Sequence, residues 1–125
     1  EMEFASAYIF LLKMRFENNL QFDIQIAKSF EDYRLPPMAV QVLIENAVKH
    51  NEISDRKPLT IHIVTNNEGY LSVSNDIQPK RTAASGTGIG LVNLAKRYRL
   101  LFKQDIQITE DKEFSVCIPL IDEVQ

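Results

Sequence analysis

The sequence has no tryptophan, one cysteine and only four glycines among its 125 residues, and each shortage excludes something. A lone Cys117 cannot close an internal disulfide. Set in a stretch of alternating apolar residues, it reads as a buried, reduced thiol of a cytoplasmic protein. No run approaches the ~20 apolar residues that span a bilayer. The longest, residues 4–12, is short and stops at Lys13. A secretory start would be basic, whereas this chain opens with Glu1 and Glu3. An excess of positive charge is missing as well: 14 Lys and Arg stand against 17 Asp and Glu, a net charge of −3. Without a broad basic field, no nucleic-acid partner is expected. A local anion site needs only a few of those cations.

What remains is ordinary for a globular protein, with 45% hydrophobic and 25% charged residues. The length suits one domain that buries about two-thirds of its unfolded surface. Residues 1–18 carry no helix breaker, and Phe4, Ala7, Tyr8, Leu11, Leu12 and Arg15 recur at helical spacing. Phe22, Ile24 and Ile26 then alternate with polar residues, the period of a half-buried strand. Pro36 and Pro37 precede a second helix running to Lys49. Residues 60–64 and 70–74 form a hairpin about Asn66-Asn67-Glu68-Gly69. A loop rich in small and polar residues covers 75–88, a third helix 89–102, and a last hairpin pairs 106–109 with 114–118. Hairpins mixed with helices predict an α+β fold, a two-layer sandwich with helices over one face of a mixed, mostly antiparallel sheet.

Three of the four glycines fall in Gly86-Thr87-Gly88-Ile89-Gly90-Leu91, directly before the third helix. Glycines let a ligand approach the main chain closely, and a helix start offers unpaired N–H groups and a positive dipole end. Together these can cradle phosphate. A plain tight turn before a helix has the same composition. The Gly-Lys-Ser/Thr of a P-loop is missing, and the glycines do not follow the first strand of a parallel unit.

On the second helix Val40, Leu43, Ile44 and Ala47 make the core stripe, while Val42, Asn46, Lys49 and His50 share another face. A mid-helix Asn is a poor helix former, and its amide oxygen is a hard ligand suited to magnesium. Lys49 and His50 could then reach phosphate oxygens. A solvated face, with Asn46 and Asn51 as surface polar residues, fits the same pattern.

Taken together and in this order, the two segments resemble the ATP-binding domain of the GHKL superfamily. Leu35-Pro36-Pro37-Met38 followed by Gln41 through Asn51, and Gly86 to Leu91 continuing into Asn93 and Arg97-Tyr98, look more specifically like the LytS-type sensor histidine kinases. The resemblance spans residues 14–120 and implies a Bergerat-type fold that binds ATP and magnesium. It makes Asn46 the magnesium-binding asparagine, with Lys49 and His50 near the phosphates and Glu45 the candidate catalytic residue. Gly86, Thr87, Gly88, Ile89, Gly90 and Leu91 match a glycine box that holds the triphosphate, under a lid over residues 76–85. Arg97 faces either phosphate or a structural ion pair.

Two departures stand out. Asn75, followed by Asp76 and Ile77, falls where the superfamily has an adenine-binding Asp and then glycines, so base recognition should be weaker or altered. Val42 falls where its ATPases carry a water-activating glutamate four residues before the asparagine. Glu45 lies about 100° round the helix from Asn46 and is not that group's equivalent. Transfer should therefore dominate over hydrolysis.

The resemblance further implies that residues 1–18 are the tail of an upstream dimerisation and phosphoacceptor helix, and residues 19–125 the catalytic domain. Expected partners are those upstream helices, a second copy in the full-length protein, and a cognate response regulator, with the LytTR type in view. The domain would lie in the cytoplasm of a bacterium, tied to the inner membrane only through N-terminal segments outside this chain. Only His50 and His62 are present, and His62, between Ile61 and Ile63, reads as a strand residue, so the chain should be unable to phosphorylate itself. The alternative is a degenerate, non-catalytic module that works as a dimerisation scaffold.

Overall fold

Apolar residues occur nearly all round the first helix, so the sheet beneath it decides which of them is buried. α1 (Met2–Phe16) buries Ile9 and Leu12 and half-buries Tyr8 and Phe16. Phe10, Leu11 and Met14 stay 64%, 62% and 66% exposed. Ile9, Leu12 and Phe16 share one side by i, i+3 and i+4 steps, and Leu11, though part of the same helical spacing, falls off it. The computed structural model describes residues 2–30, 33, 38–78 and 89–121, with residues 2–5 and 89 in backbone only.

A single 3-10 turn at Glu17–Asn19 leads into β1 (Leu20–Gln25). α2 (Ala39–His50) follows, then β2 (Leu59–Thr65) and β3 (Tyr70–Asp76), α3 (Ile89–Phe102), β4 (Gln107–Glu110) and β5 (Glu113–Pro119). The strands form one five-stranded sheet in the order β1-β2-β3-β5-β4. Only β1 and β2 run parallel, Leu20 opposite Leu59 and Ile24 opposite Ile63; the other neighbours are antiparallel. A parallel pair needs a crossover connection, and α2 lies within it. The mixed sheet with helices against it is the α+β class expected from the sequence.

Alternation explains the two faces of the sheet. Leu59, Ile61, Ile63, Leu71, Val73, Val116 and Ile118 point inward and are buried with Val40, Leu43, Ile44 and Ala47 of α2 and Leu94 and Tyr98 of α3. Each such Leu, Ile or Val contributes about 1.5–3 kcal/mol by leaving water. Tyr98 is fully buried and donates its phenol hydrogen to the Pro119 carbonyl at 2.8 Å, tying α3 to the end of β5. The β2–β3 turn closes at Gly69, whose φ of +85° a side chain would resist. Cys117 belongs to the other face, between buried Val116 and Ile118, and is half-buried, not buried as its apolar setting suggested. Among the described residues no helix is long and apolar enough to cross a membrane.

On that outer face Asp23 of β1 meets His62 of β2, with His62 Nδ1 and Asp23 Oδ2 3.1 Å apart. Hydrogen bonds from Gln25 and His62 hold the Asp23 carboxyl below its usual range. A carboxyl with a depressed folded-state pKa stabilises the fold above its unfolded value, about 3.8, and that contribution disappears as pH falls below it. In urea titrations at pH 5 and pH 3, Asp23→Asn should therefore lose less stability on acidification than the wild type. Equal losses would show that the pair contributes nothing.

Candidate functional site

α2 divides its residues as the sequence suggested. Val40, Leu43, Ile44 and Ala47 are buried, Val42, Glu45 and Asn46 are half-buried, and Lys49 and His50 are exposed. Glu45 and Lys49, one turn apart, form an ion pair at 3.2 Å, with side chains 43% and 58% exposed. Such an exposed pair contributes about 0.3–0.5 kcal/mol, so Lys49 is cheaply released to another anion. Glu45 also acts toward α1: burial first, then the Glu45 charge, raises the Tyr8 phenol above its ordinary pKa, against a lowering by Arg15. No hydrogen bond engages the Asn46 side chain among the described residues. Its amide is thus available to a ligand.

The start of α3 lies close to this helix. Gly90 lies in the first turn of α3, and a Cβ built there would sit 3.4 Å from Val42 Cγ1. Val42 is one helical turn before Asn46. Val42 thus lies where the start of α3 comes close to α2. Leu91 is half-buried against the core, and Arg97 is half-buried farther along α3. Gly86, Thr87, Gly88, the Ile89 side chain, residues 79–85 of the expected lid and Leu35-Pro36-Pro37 lie outside the described residues.

Asn75 is a polar side chain turned into the core. It is 1% exposed on the inner face of β3, in line with Leu71 and Val73. Its Nδ2 donates to the Asp76 carbonyl at 2.8 Å, and among the described residues nothing donates to its Oδ1. A buried acceptor without a donor costs about 1–3 kcal/mol, which a ligand N–H would recover.

The exit from β3 is held to the end of α2. Asn51 is buried, not a surface residue: its Nδ2 donates to the Ala47 carbonyl at 2.8 Å and its Oδ1 accepts the Gln78 N–H at 2.7 Å. The Glu52 N–H donates to the Gln78 carbonyl at 2.6 Å. Gln78 Nε2 donates to the carbonyls of Glu52 and Lys57, at 2.9 and 3.2 Å. Sequence reading missed this set. The available signal was an Asn at a helix end, where such residues often satisfy free carbonyls. A separate hollow lined by Phe30, Tyr33, Tyr70, Phe102 and Leu120 includes none of Asn46, Lys49, His50, Asn75, Asn51 and Gln78.

Among the described residues no three His, Cys, Asp or Glu side chains converge as metal ligands. Magnesium suits the site nonetheless, since it keeps several waters and takes one or two protein oxygens beside substrate phosphates. The unengaged Asn46 amide is one such oxygen.

No protein-family model matches the chain. Curated relatives do. The chain is 35% identical to the sensor protein LytS of Streptococcus mutans over 89% of its own length and 22% of the relative's. It is 29% identical to the sensor protein LytS of Enterococcus faecalis over 82% of its length and 20% of the relative's. It is 28% identical to the sensor histidine kinase BtsS of Escherichia coli over 87% of its length and 20% of the relative's. The chain spans about a fifth of the length of these relatives.

Proposed function

With LytS-like sensor histidine kinases as the homologues of this chain, we infer that it is the ATP-binding catalytic domain of a two-component sensor kinase. It presents the γ-phosphate of ATP to a histidine on a helical segment outside this chain. The observation that supports the reading is the nearness of Gly90 to Val42, a Cβ built at Gly90 falling 3.4 Å from Val42 Cγ1, so that the start of α3 lies close to the helix of Asn46.

Each end of the nucleotide then has its own group. The free Asn75 Oδ1 accepts from the exocyclic amino group of adenine, and its Nδ2, already committed to Asp76, does not compete. Asn46 holds magnesium by its amide oxygen, while Lys49, His50 and the first N–H groups of α3 face the triphosphate. Bound magnesium neutralises phosphate charge, and the chain's own contribution to transfer is orientation of the terminal phosphate. Glu45, whose charge reaches Tyr8 on α1, lies on the side where an acceptor helix would approach. With Val42 in the water-activating position, isolated turnover is slow. α1 is the tail of an upstream dimerisation and phosphoacceptor helix, and its exposed Phe10, Leu11 and Met14 suit a second copy. A LytTR-type response regulator takes the phosphoryl group, and the domain works in the cytoplasm below a membrane anchor.

Calorimetric titration with ATP, with magnesium and with a chelator, tests the reading. A Kd tighter than ~1 mM, about −4 kcal/mol, is expected with magnesium, and weaker binding without it. Affinity weaker than that in both conditions would favour a non-catalytic scaffold.

A further inference from the structure

We propose that Asn51 and Gln78 are positioning residues that fix the spacing between the two ends of the nucleotide site. The inference rests on the nucleotide reading above and goes beyond it, because neither residue is assigned a contact with the ligand. Asn75, at the base end, lies on β3, and Asn46, at the metal end, on α2; they belong to different elements and have no bond to each other. Gln78 is three residues past Asn75, and Asn51 is five past Asn46. Four hydrogen bonds join the two neighbourhoods, and a fifth, from Asn51 to the Ala47 carbonyl, fixes Asn51 on its own helix. Asn51 caps its own helix at Ala47 and takes the Gln78 N–H; the Glu52 N–H meets the Gln78 carbonyl; the Gln78 side chain spans Glu52 and Lys57. Ile77 is pinned from the opposite side, its N–H donating to the Lys112 carbonyl at 3.2 Å in the β4–β5 turn. The exit of β3 therefore cannot slide along α2 without breaking several buried or half-buried bonds at once.

A ligand that engages two separate groups gains affinity only when their spacing matches its own length. ATP spans both ends. Adenosine uses the base end alone, and magnesium tripolyphosphate the metal end alone. Loosening the clamp should thus weaken ATP selectively, a pattern that general destabilisation does not give.

The test uses two variants of the 125-residue chain. Gln78→Met keeps the side-chain volume and the backbone pair but removes the bonds to Glu52 and Lys57. Asn51→Ala removes the acceptor for the Gln78 N–H, and if it fails to fold, Gln78→Met carries the test alone. Affinities for ATP with magnesium, for adenosine, and for magnesium tripolyphosphate are read from NMR shift titrations. Expected is a loss of about tenfold for ATP, with the other two ligands within about twofold of wild type. Equal loss for all three ligands, or no loss for ATP, overturns the clamp and leaves the nucleotide reading standing. A wild-type chain that binds none of the three overturns both.

Discussion

Tyr98→Ala is expected to lower the unfolding free energy by about 3–5 kcal/mol, the range for emptying a buried aromatic site. Domains of this size are stable by only about 5–15 kcal/mol, so the variant should be near the threshold of folding at ambient temperature. Three losses coincide at this side chain. Its ring is fully buried and packs at 5.6 Å from Phe102, and its hydroxyl is a donor to the Pro119 carbonyl. Tyr98→Phe separates them: the ring stays while the carbonyl loses its donor, for about 1–3 kcal/mol. Urea titrations with an unchanged slope would report both values as shifts in midpoint. A Tyr98→Ala loss below about 1 kcal/mol would mean that α3 is not held to β5 through this residue.

Asn46→Ala should have the largest effect on ligand binding and little on stability, because the Asn46 side chain has no hydrogen-bond partner to lose among the described residues. The magnesium-dependent part of ATP affinity should fall by at least about tenfold, since even partners one shell out from a metal change affinity by 10–100-fold. Affinity measured in chelator should stay where it is. Asn46→Asp keeps an oxygen ligand but adds charge facing the triphosphate. It should weaken binding in chelator and sharpen the dependence on magnesium. If both variants respond to magnesium as the wild type does, Asn46 is not the ligand.

Much of this architecture was legible because α2, β2 and β3 are regular in their patterning. Val40, Leu43, Ile44 and Ala47 mark one side of a helix, and Ile61, Ile63, Leu71 and Val73 one side of two strands, without ambiguity. α1 was harder for a physical reason: with Phe10, Leu11 and Met14 apolar yet exposed, it has no polar side to orient it. Helical spacing alone therefore does not separate exposed Leu11 from buried Leu12. The roles proposed for Asn46 and Asn75 came from the family resemblance of short segments around them, and the structure adds only that the Asn46 side chain is unengaged among the described residues and that Asn75 is buried. Asn51 and Gln78 could not be named from sequence, since their meeting depends on where β3 ends relative to α2, a tertiary fact with no local trace. The same holds for Val42: the sequence says what it is not, and only the structure places it close to Gly90.

The placement of α2 within the connection between β1 and β2 has a kinetic consequence. The hairpins β2–β3 and β4–β5 can zip from their turns, whereas β1 must find β2 across the whole intervening segment and in parallel register. Pairings that close long loops are the slow ones. The helix bearing Asn46 lies inside that loop, so it settles with the slowest pairing of the sheet, after the strand bearing Asn75 already has a partner. On the nucleotide reading proposed above, the Asn75 end would be ready first during refolding, and nucleotide arriving early would meet half a site.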